Sequence, residues 1–328
     1  MRGGADTQDE PRAGARILEL LANPLNSRIL RALANGPLRL ADLHERTAWP
    51  AQTTLRAAIV SLRELGLLER VEVSRMPLGV ANGLTGAGRE TLFVTDVVER
   101  WLARGPQGPI PIDSDAAKAA IKALAGGWSS TMVRALAEEP ASLTELDRLI
   151  PEMSYPSLER RLSRMRSTRQ VEPSPANGRG QPFGATDWLR HSVAPLCAAG
   201  RCERRHMKAD SAPITPVEIE AAFLLALPIA PLPETAEGVC ALTVPAEGES
   251  SSNGRHSLAG VVVEVRAGQL IRCESDLNSG GPTWALGAPV TWMDAVIEGH
   301  LDALRFGGTS PQLAVDLVHG LHVGLFGE

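Results

Sequence analysis

The chain has 328 residues, which is room for two or three domains, and its formal net charge of −5 is unevenly distributed. Residues 1–112 carry +2, residues 113–208 carry +4 and residues 209–328 carry −11. Only the first two regions have the sign expected of a phosphate-binding surface, and no apolar run is long enough to span a bilayer. The polar, glycine-rich start lacks a signal peptide, which predicts a cytoplasmic protein with a disordered tail over residues 1–14.

An internal repeat organises the first two-thirds of the chain. Sliding residues 26–69 by 103 positions places them on residues 129–172 without a gap, so that Arg31 falls on Arg134 and Leu55 on Leu158. A period of this length is the size of a small domain. We therefore predict one domain used twice, as a first copy over residues 15–104 and a second copy over residues 113–208, joined by a linker over residues 105–112.

Three helices are predicted at the start of each copy. In the first copy, apolar residues at helical spacing predict a helix over residues 17–33, with a break at Pro24. A short helix over residues 40–47 follows, and Thr53 or Thr54 is expected to cap the third helix.

A β-hairpin is predicted after the third helix. In the first copy, residues 68–73 alternate apolar and polar as an edge strand does. The glycine-rich stretch over residues 79–88 is interpreted as a wing, residues 91–94 as a return strand and residues 96–103 as a closing helix. This order of elements is that of the winged helix-turn-helix, although small three-helix units also mediate protein contacts.

The third helix of the second copy carries a run of arginines on the element that would enter the major groove, which favours DNA binding over a solubilising surface. Base readout is assigned to Gln52, Thr53, Thr54 and Arg56 in the first copy, and to Ser154, Tyr155, Ser157, Arg160 and Arg161 in the second. Arg63 and Arg164 complete the predicted DNA-binding set, together with Arg179 at the tip of the second hairpin.

The second copy resembles the HxlR family of winged helix-turn-helix regulators. The resemblance rests on its arginine-bearing third helix, the segment over residues 183–190, a helix over residues 191–199 and the basic tail over residues 201–206. It extends to residues 15–104 through the internal match. Members of that family are usually homodimers, so two copies in one chain imply an intramolecular pseudo-dimer, with a further homodimer left open.

A different, acidic domain is predicted over residues 217–328, after a linker over residues 209–216. Helices are expected over residues 217–227, 290–304 and 311–326, and strands over residues 239–244, 258–265, 269–273 and 283–286. We interpret this pattern as an α+β fold with an antiparallel sheet. It resembles the sterol-carrier-protein-2-like fold, which implies an apolar cavity for a lipid-like or polycyclic ligand. The residues expected to line it are Phe223, Leu227, Trp284, Trp292, Met293, Val296 and Leu301, which would otherwise fill a core.

No catalytic motif, phosphate loop or zinc-type spacing of the four cysteines is present, so the sequence predicts neither an enzyme nor a metal or cofactor site. We expect a DNA-binding transcriptional regulator, acting as a repressor, with double-stranded DNA and an apolar or aromatic small-molecule effector as partners. Its two winged helices would read a bipartite operator. The alternative is a lipid or small-molecule carrier whose winged helices mediate protein contacts.

Overall fold

The structure is a computed structural model that describes residues 12–73, 79–127, 130–175, 180–207, 211–250, 256–277 and 281–327. It divides into two compact units. One contains Ala13–Ala125 with Ala198–Ala212, and the other contains Gly126–Cys197 with Pro213–Glu328. The three domain ranges predicted from the sequence remain a prediction, because this division into two units does not test them.

Fourteen α-helices and nine strands are found in the described residues. The elements of the first copy are α1 (Ala15–Leu21), α2 (Pro24–Leu33), α3 (Leu40–Arg46), α4 (Gln52–Glu64), β1 (Leu68–Val73), β2 (Gly79–Leu84) and α5 (Gly86–Ala103). Those of the second copy are α6 (Asp115–Gly127), α7 (Ser130–Glu138), α8 (Leu143–Leu149), α9 (Tyr155–Ser167), β3 (Val171–Pro173), β4 (Phe183–Ala185), α10 (Asp187–His191) and α11 (Val193–His206). The remaining elements are α12 (Pro216–Ala226), β5 (Gly238–Ser250), β6 (His256–Arg266), β7 (Gln269–Glu274), β8 (Thr283–Leu286), α13 (Pro289–Glu298), β9 (Arg305–Gly308) and α14 (Pro311–Phe326).

The helix boundaries of the first copy follow from residues that favour the start or the end of a helix. The break expected at Pro24 is present, because Pro24 opens α2 and the Asn23 side chain accepts the N–H of Leu25. The caps predicted for the third helix were wrong. Helix α4 begins at Gln52, with Ala51 at the N-cap, so Thr53 and Thr54 lie in its first turn.

The hairpin of the first copy uses a different return strand from the one predicted. Strand β2 lies within the glycine-rich stretch, pairing antiparallel with β1 from Leu68 opposite Leu84. Residues 91–94, predicted as the return strand, belong to α5, whose buried residues follow helical spacing. Gly88 permits this, since a Cβ there would lie 2.2 Å from the carbonyl oxygen of Leu67.

The second copy repeats this frame closely. Helices α8 and α9 have the bounds of α3 and α4 displaced by 103 residues. Each hairpin also gains a third, single-residue strand: Leu38 exchanges two backbone hydrogen bonds with Asn82, and Ala141 does the same with Phe183. The helix expected over residues 191–199 is instead the end of α10 and the longer α11, which continues to His206.

The C-terminal sheet is mixed, which corrects the predicted antiparallel sheet. Its strand order is β7-β6-β5-β8-β9, and β5 and β8 are parallel. The helix predicted over residues 290–304 ends at Glu298, because Gly299 takes the left-handed conformation with φ 69° and the chain then forms β9. Helices α12 and α14 pack on this sheet.

No helix in the described part of the chain has both the length and the apolar character needed to cross a membrane. Within the same residues, no group of three or more His, Cys, Asp or Glu side chains is placed to hold a metal ion.

Candidate nucleic-acid interface

Helices α4 and α9 each bury one face and expose the other. In α4 the buried side chains are Leu55, Ile59 and Leu62, and in α9 they are Leu158, Leu162 and Met165. These two sets occupy equivalent positions of the repeat. Burial at i, i+4 and i+7 fixes the rotation of each helix about its axis, and therefore fixes which residues face solvent.

The exposed face of α4 carries little charge. Gln52, Thr53, Thr54 and Arg56, the predicted base-reading residues of the first copy, are all exposed in its first turns. Arg63 is separate from them. It lies in the last turn of α4, is half-buried and has its Nε atom enclosed by the protein.

The exposed face of α9 is strongly cationic. Ser154, Tyr155, Arg160 and Arg164 are exposed, and Ser157 is half-buried with its hydroxyl oxygen 3.5 Å from Nη2 of Arg160. Arg160 and Arg164 are four residues apart, so two like charges lie on one face. Such a pair destabilises an isolated helix, and a polyanion placed over it removes the repulsion.

Two other arginines of the second copy are held against the protein. Arg161 is half-buried, and burial, followed by the charge of Arg164, lowers the pKa of its guanidinium. Arg166 lies over the ring of Phe183, 4.6 Å from its centroid, and so links α9 to β4. Arg179, predicted at the tip of the hairpin, lies outside the described residues.

Sequence reasoning missed Trp49, which lies in the turn between α3 and α4. Its side chain is 67% exposed, the largest exposure among the large apolar side chains of the described residues. Ala48 and Trp49 both have positive φ, and the indole packs edge-on against His44 at 4.8 Å between centroids. Left-handed backbone at two successive residues other than glycine is strained, and such strain is common at functional sites. The signal available in the sequence was a large apolar residue in a turn that should be polar.

The arginine shared by the two copies has different partners in each. Arg31 of α2 pairs with Asp96 and Glu99 of α5, all of them partly exposed. Its equivalent, Arg134 of α7, lies 2.7 Å from the carboxylate of Glu220 in α12, whose side chain is only 6% exposed. Helix α12 thus packs against α7 as α5 packs against α2.

Glu220 also connects α12 to the C-terminal sheet. Its second carboxylate oxygen accepts the N–H of Gly260 in β6 at 3.1 Å. Burial raises the pKa of Glu220, and the charge of Arg134 and this backbone hydrogen bond partly offset the effect. The second copy and the C-terminal domain therefore share one buried, charged contact.

The residues predicted to line a ligand cavity fall into two groups. Phe223, Trp292, Met293 and Val296 line a small cavity of about 20 Å³, whereas Leu227, Trp284 and Leu301 do not. That volume is enough for about one water molecule and far below the roughly 300–1,000 Å³ typical of small-molecule sites. The indole N–H of Trp292 donates to the backbone oxygen of Thr243 at 2.9 Å, so this ring holds α13 on β5.

A family model described as HxlR-like helix-turn-helix matches residues 20–106. A comparison with curated proteins finds none that matches the chain. The match spans most of the first copy, so residues 20–106 are similar to the HxlR-like helix-turn-helix. The resemblance of residues 113–208 to the same family stays a prediction, as does the sterol-carrier-protein-2-like assignment of the C-terminal domain.

Proposed function

We propose that this protein is a DNA-binding transcriptional repressor whose two winged helices, one in each copy, read the two halves of a bipartite operator. The observation that carries the proposal is the equivalence of α4 and α9. Both helices bury the same repeat positions and expose several of the polar and cationic side chains that are predicted to contact DNA. The family match at residues 20–106 supports it independently.

The two helices have different roles in this proposal. Arg160 and Arg164 supply most of the phosphate neutralisation, which is independent of sequence and sensitive to salt. Gln52 and Thr53 supply hydrogen bonds to base edges, with Gln suited to adenine. Trp49 lies beside them, against the sugar–phosphate backbone, so Trp49→Ala lowers affinity for every duplex alike when binding is measured by fluorescence anisotropy.

The proposed coupling between ligand and DNA runs through the contact of Arg134 with Glu220. A small apolar effector bound between α12 and α13 would displace α12, and with it the helix α7, which packs on α8, the neighbour of the second DNA-binding helix. The cavity of about 20 Å³ must widen for this, so binding draws on a minor open state.

The test is selection of bound duplexes from a random double-stranded library with the full chain, followed by affinity measurements at several salt concentrations. We expect an enriched sequence and an affinity that falls steeply as salt rises. Failure to enrich any sequence, with an affinity indifferent to salt, contradicts the proposal and favours a protein-interaction role for the helices.

A further inference from the structure

An open groove of about 740 Å³ lies within the unit formed by Ala13–Ala125 and Ala198–Ala212. Its walls are α2, the end of α3, α5 and the segment over residues 110–113 that follows α5. The volume falls in the range of roughly 300–1,000 Å³ that is typical of small-molecule sites. The family match at residues 20–106 assigns no ligand to it.

Most of the charges that line the groove are already compensated. Arg28 lies 2.8 Å from the carboxylate of Asp113, and Arg31 is paired with Glu99. Arg46 differs from both. It is exposed in the last turn of α3, and no ion pair involving it is found among the described residues. The groove therefore has one guanidinium whose charge is unmatched by a neighbouring carboxylate.

The wall formed by residues 110–112 is apolar and held in place by hydrogen bonds to the backbone. Ile110 and Ile112 are half-buried there, on either side of Pro111. The N–H of Ile110 donates to the carbonyl oxygen of Leu102 at 3.0 Å, and the Ser114 hydroxyl donates to that of Pro111 at 2.7 Å. The apolar wall is thus formed before any ligand arrives, which lowers the ordering cost of binding.

We propose that this groove binds a small monocarboxylic acid with an apolar body. Its carboxylate is held by the guanidinium of Arg46, which can form two parallel hydrogen bonds with it. Its apolar body packs on Ile110 and Ile112. A single carboxylate matches the single unmatched cation, and a second one would meet Glu99 or Asp113. The proposal is independent of DNA binding and of the C-terminal cavity.

Isothermal titration calorimetry of the full chain with benzoate and octanoate separates an aromatic from an aliphatic body, and benzyl alcohol is the neutral control. We expect at least one acid to bind, and to bind at least tenfold more tightly than benzyl alcohol. Arg46→Gln should weaken that acid at least tenfold and Arg46→Lys less. Arg70→Gln, an exposed arginine of β1 outside the groove, should leave it unchanged.

The apolar wall has its own variant. Ile112→Glu places a carboxylate where the apolar body would pack, and it should weaken binding at least tenfold while thermal unfolding shows that the chain is folded. Binding that is unaffected by both Arg46→Gln and Ile112→Glu overturns the site. The absence of binding heat with both acids overturns the ligand class.

Discussion

Helices α4 and α9 have the same length and the same place in the repeat, yet they present different surfaces. Their buried residues are apolar at equivalent positions, as in Leu55 and Leu158. Their exposed faces diverge, since α4 offers mainly uncharged side chains and α9 offers Arg160 and Arg164. Packing constrains only the buried face, so a duplicated helix keeps its orientation while its solvent face is free to change.

The largest effects on stability are expected for substitutions on the buried faces of α4 and α9. Leu55→Ala and Leu158→Ala each remove a side chain with no solvent exposure, so each should destabilise its own unit by about 2–5 kcal/mol. Urea unfolding, monitored by amide hydrogen exchange in α4 and in α9, measures the stability of each unit by itself. A loss below about 1 kcal/mol in either would show that the two helices are not packed alike.

Substitutions on the exposed faces of α4 and α9 are expected to change DNA binding in different ways. Arg160→Ala with Arg164→Ala should reduce the slope of log affinity against log salt by about 2, because two phosphate contacts are lost. Gln52→Ala with Thr53→Ala should leave that slope unchanged and relax sequence preference instead. Arg305→Ala, an exposed arginine in β9, is the control outside both helices. Equal salt slopes for the two double variants would contradict the division of roles.

Arg31 and Arg134 occupy equivalent positions in the two copies, and we expect their loss to affect stability differently. Arg134→Ala leaves the buried carboxylate of Glu220 without its partner and should cost about 1–3 kcal/mol, measured by denaturant unfolding. Arg31→Ala removes partly exposed pairs and should cost about 0–1 kcal/mol. Comparable losses for both variants would contradict the structural role assigned to Glu220.

The Arg134→Ala loss should also depend on pH. Burial raises the pKa of Glu220 in the folded state above its value in the unfolded state. Between these two pKa values the folded protein holds the proton and the unfolded chain does not, so the free energy of unfolding falls as the pH rises through that range. Removing Arg134 raises the folded pKa further. The destabilisation should therefore be largest at neutral pH and shrink in acid, where Glu220 is protonated in both states.

A small effect is predicted for the N-caps of the two short helices, α3 and α8. Ser142 accepts the N–H of Glu145 at the start of α8, and the carboxylate of Glu145 accepts the N–H of Ser142 in return. Its equivalent, Arg39, has no acceptor to offer α3. Ser142→Ala should thus cost about 1 kcal/mol and Arg39→Ala less, measured by thermal unfolding.

Local patterns accounted for much of this fold. Leucine spacing and the internal match predicted the presence of α3, α4, α8 and α9, because each helix buries one periodic face, although the start of α4 was placed too late. The glycine-rich stretch over residues 79–88 led to a wrong prediction for the return strand, because such a composition is typical of loops. In the fold these residues form β2 and the start of α5, where Gly88 allows a close approach to Leu67.

Long-range pairings were beyond the sequence. The parallel contact of β5 with β8 and the ion pair of Arg134 with Glu220 join segments far apart in the chain, and nothing local marks them. The exposure of Gln52, Thr53 and Arg160 was predictable because the helices that carry them were. The exposure of Trp49 was not, because it depends on the left-handed backbone of its turn.

Selection of duplexes with three forms of the protein tests the central claim most directly. The wild type, Gln52→Ala and Ser154→Ala would each be used to enrich bound sequences from the same random library. The account predicts a two-part consensus for the wild type, in which Gln52→Ala relaxes one half and Ser154→Ala relaxes the other. A single contiguous consensus that neither substitution alters would contradict it.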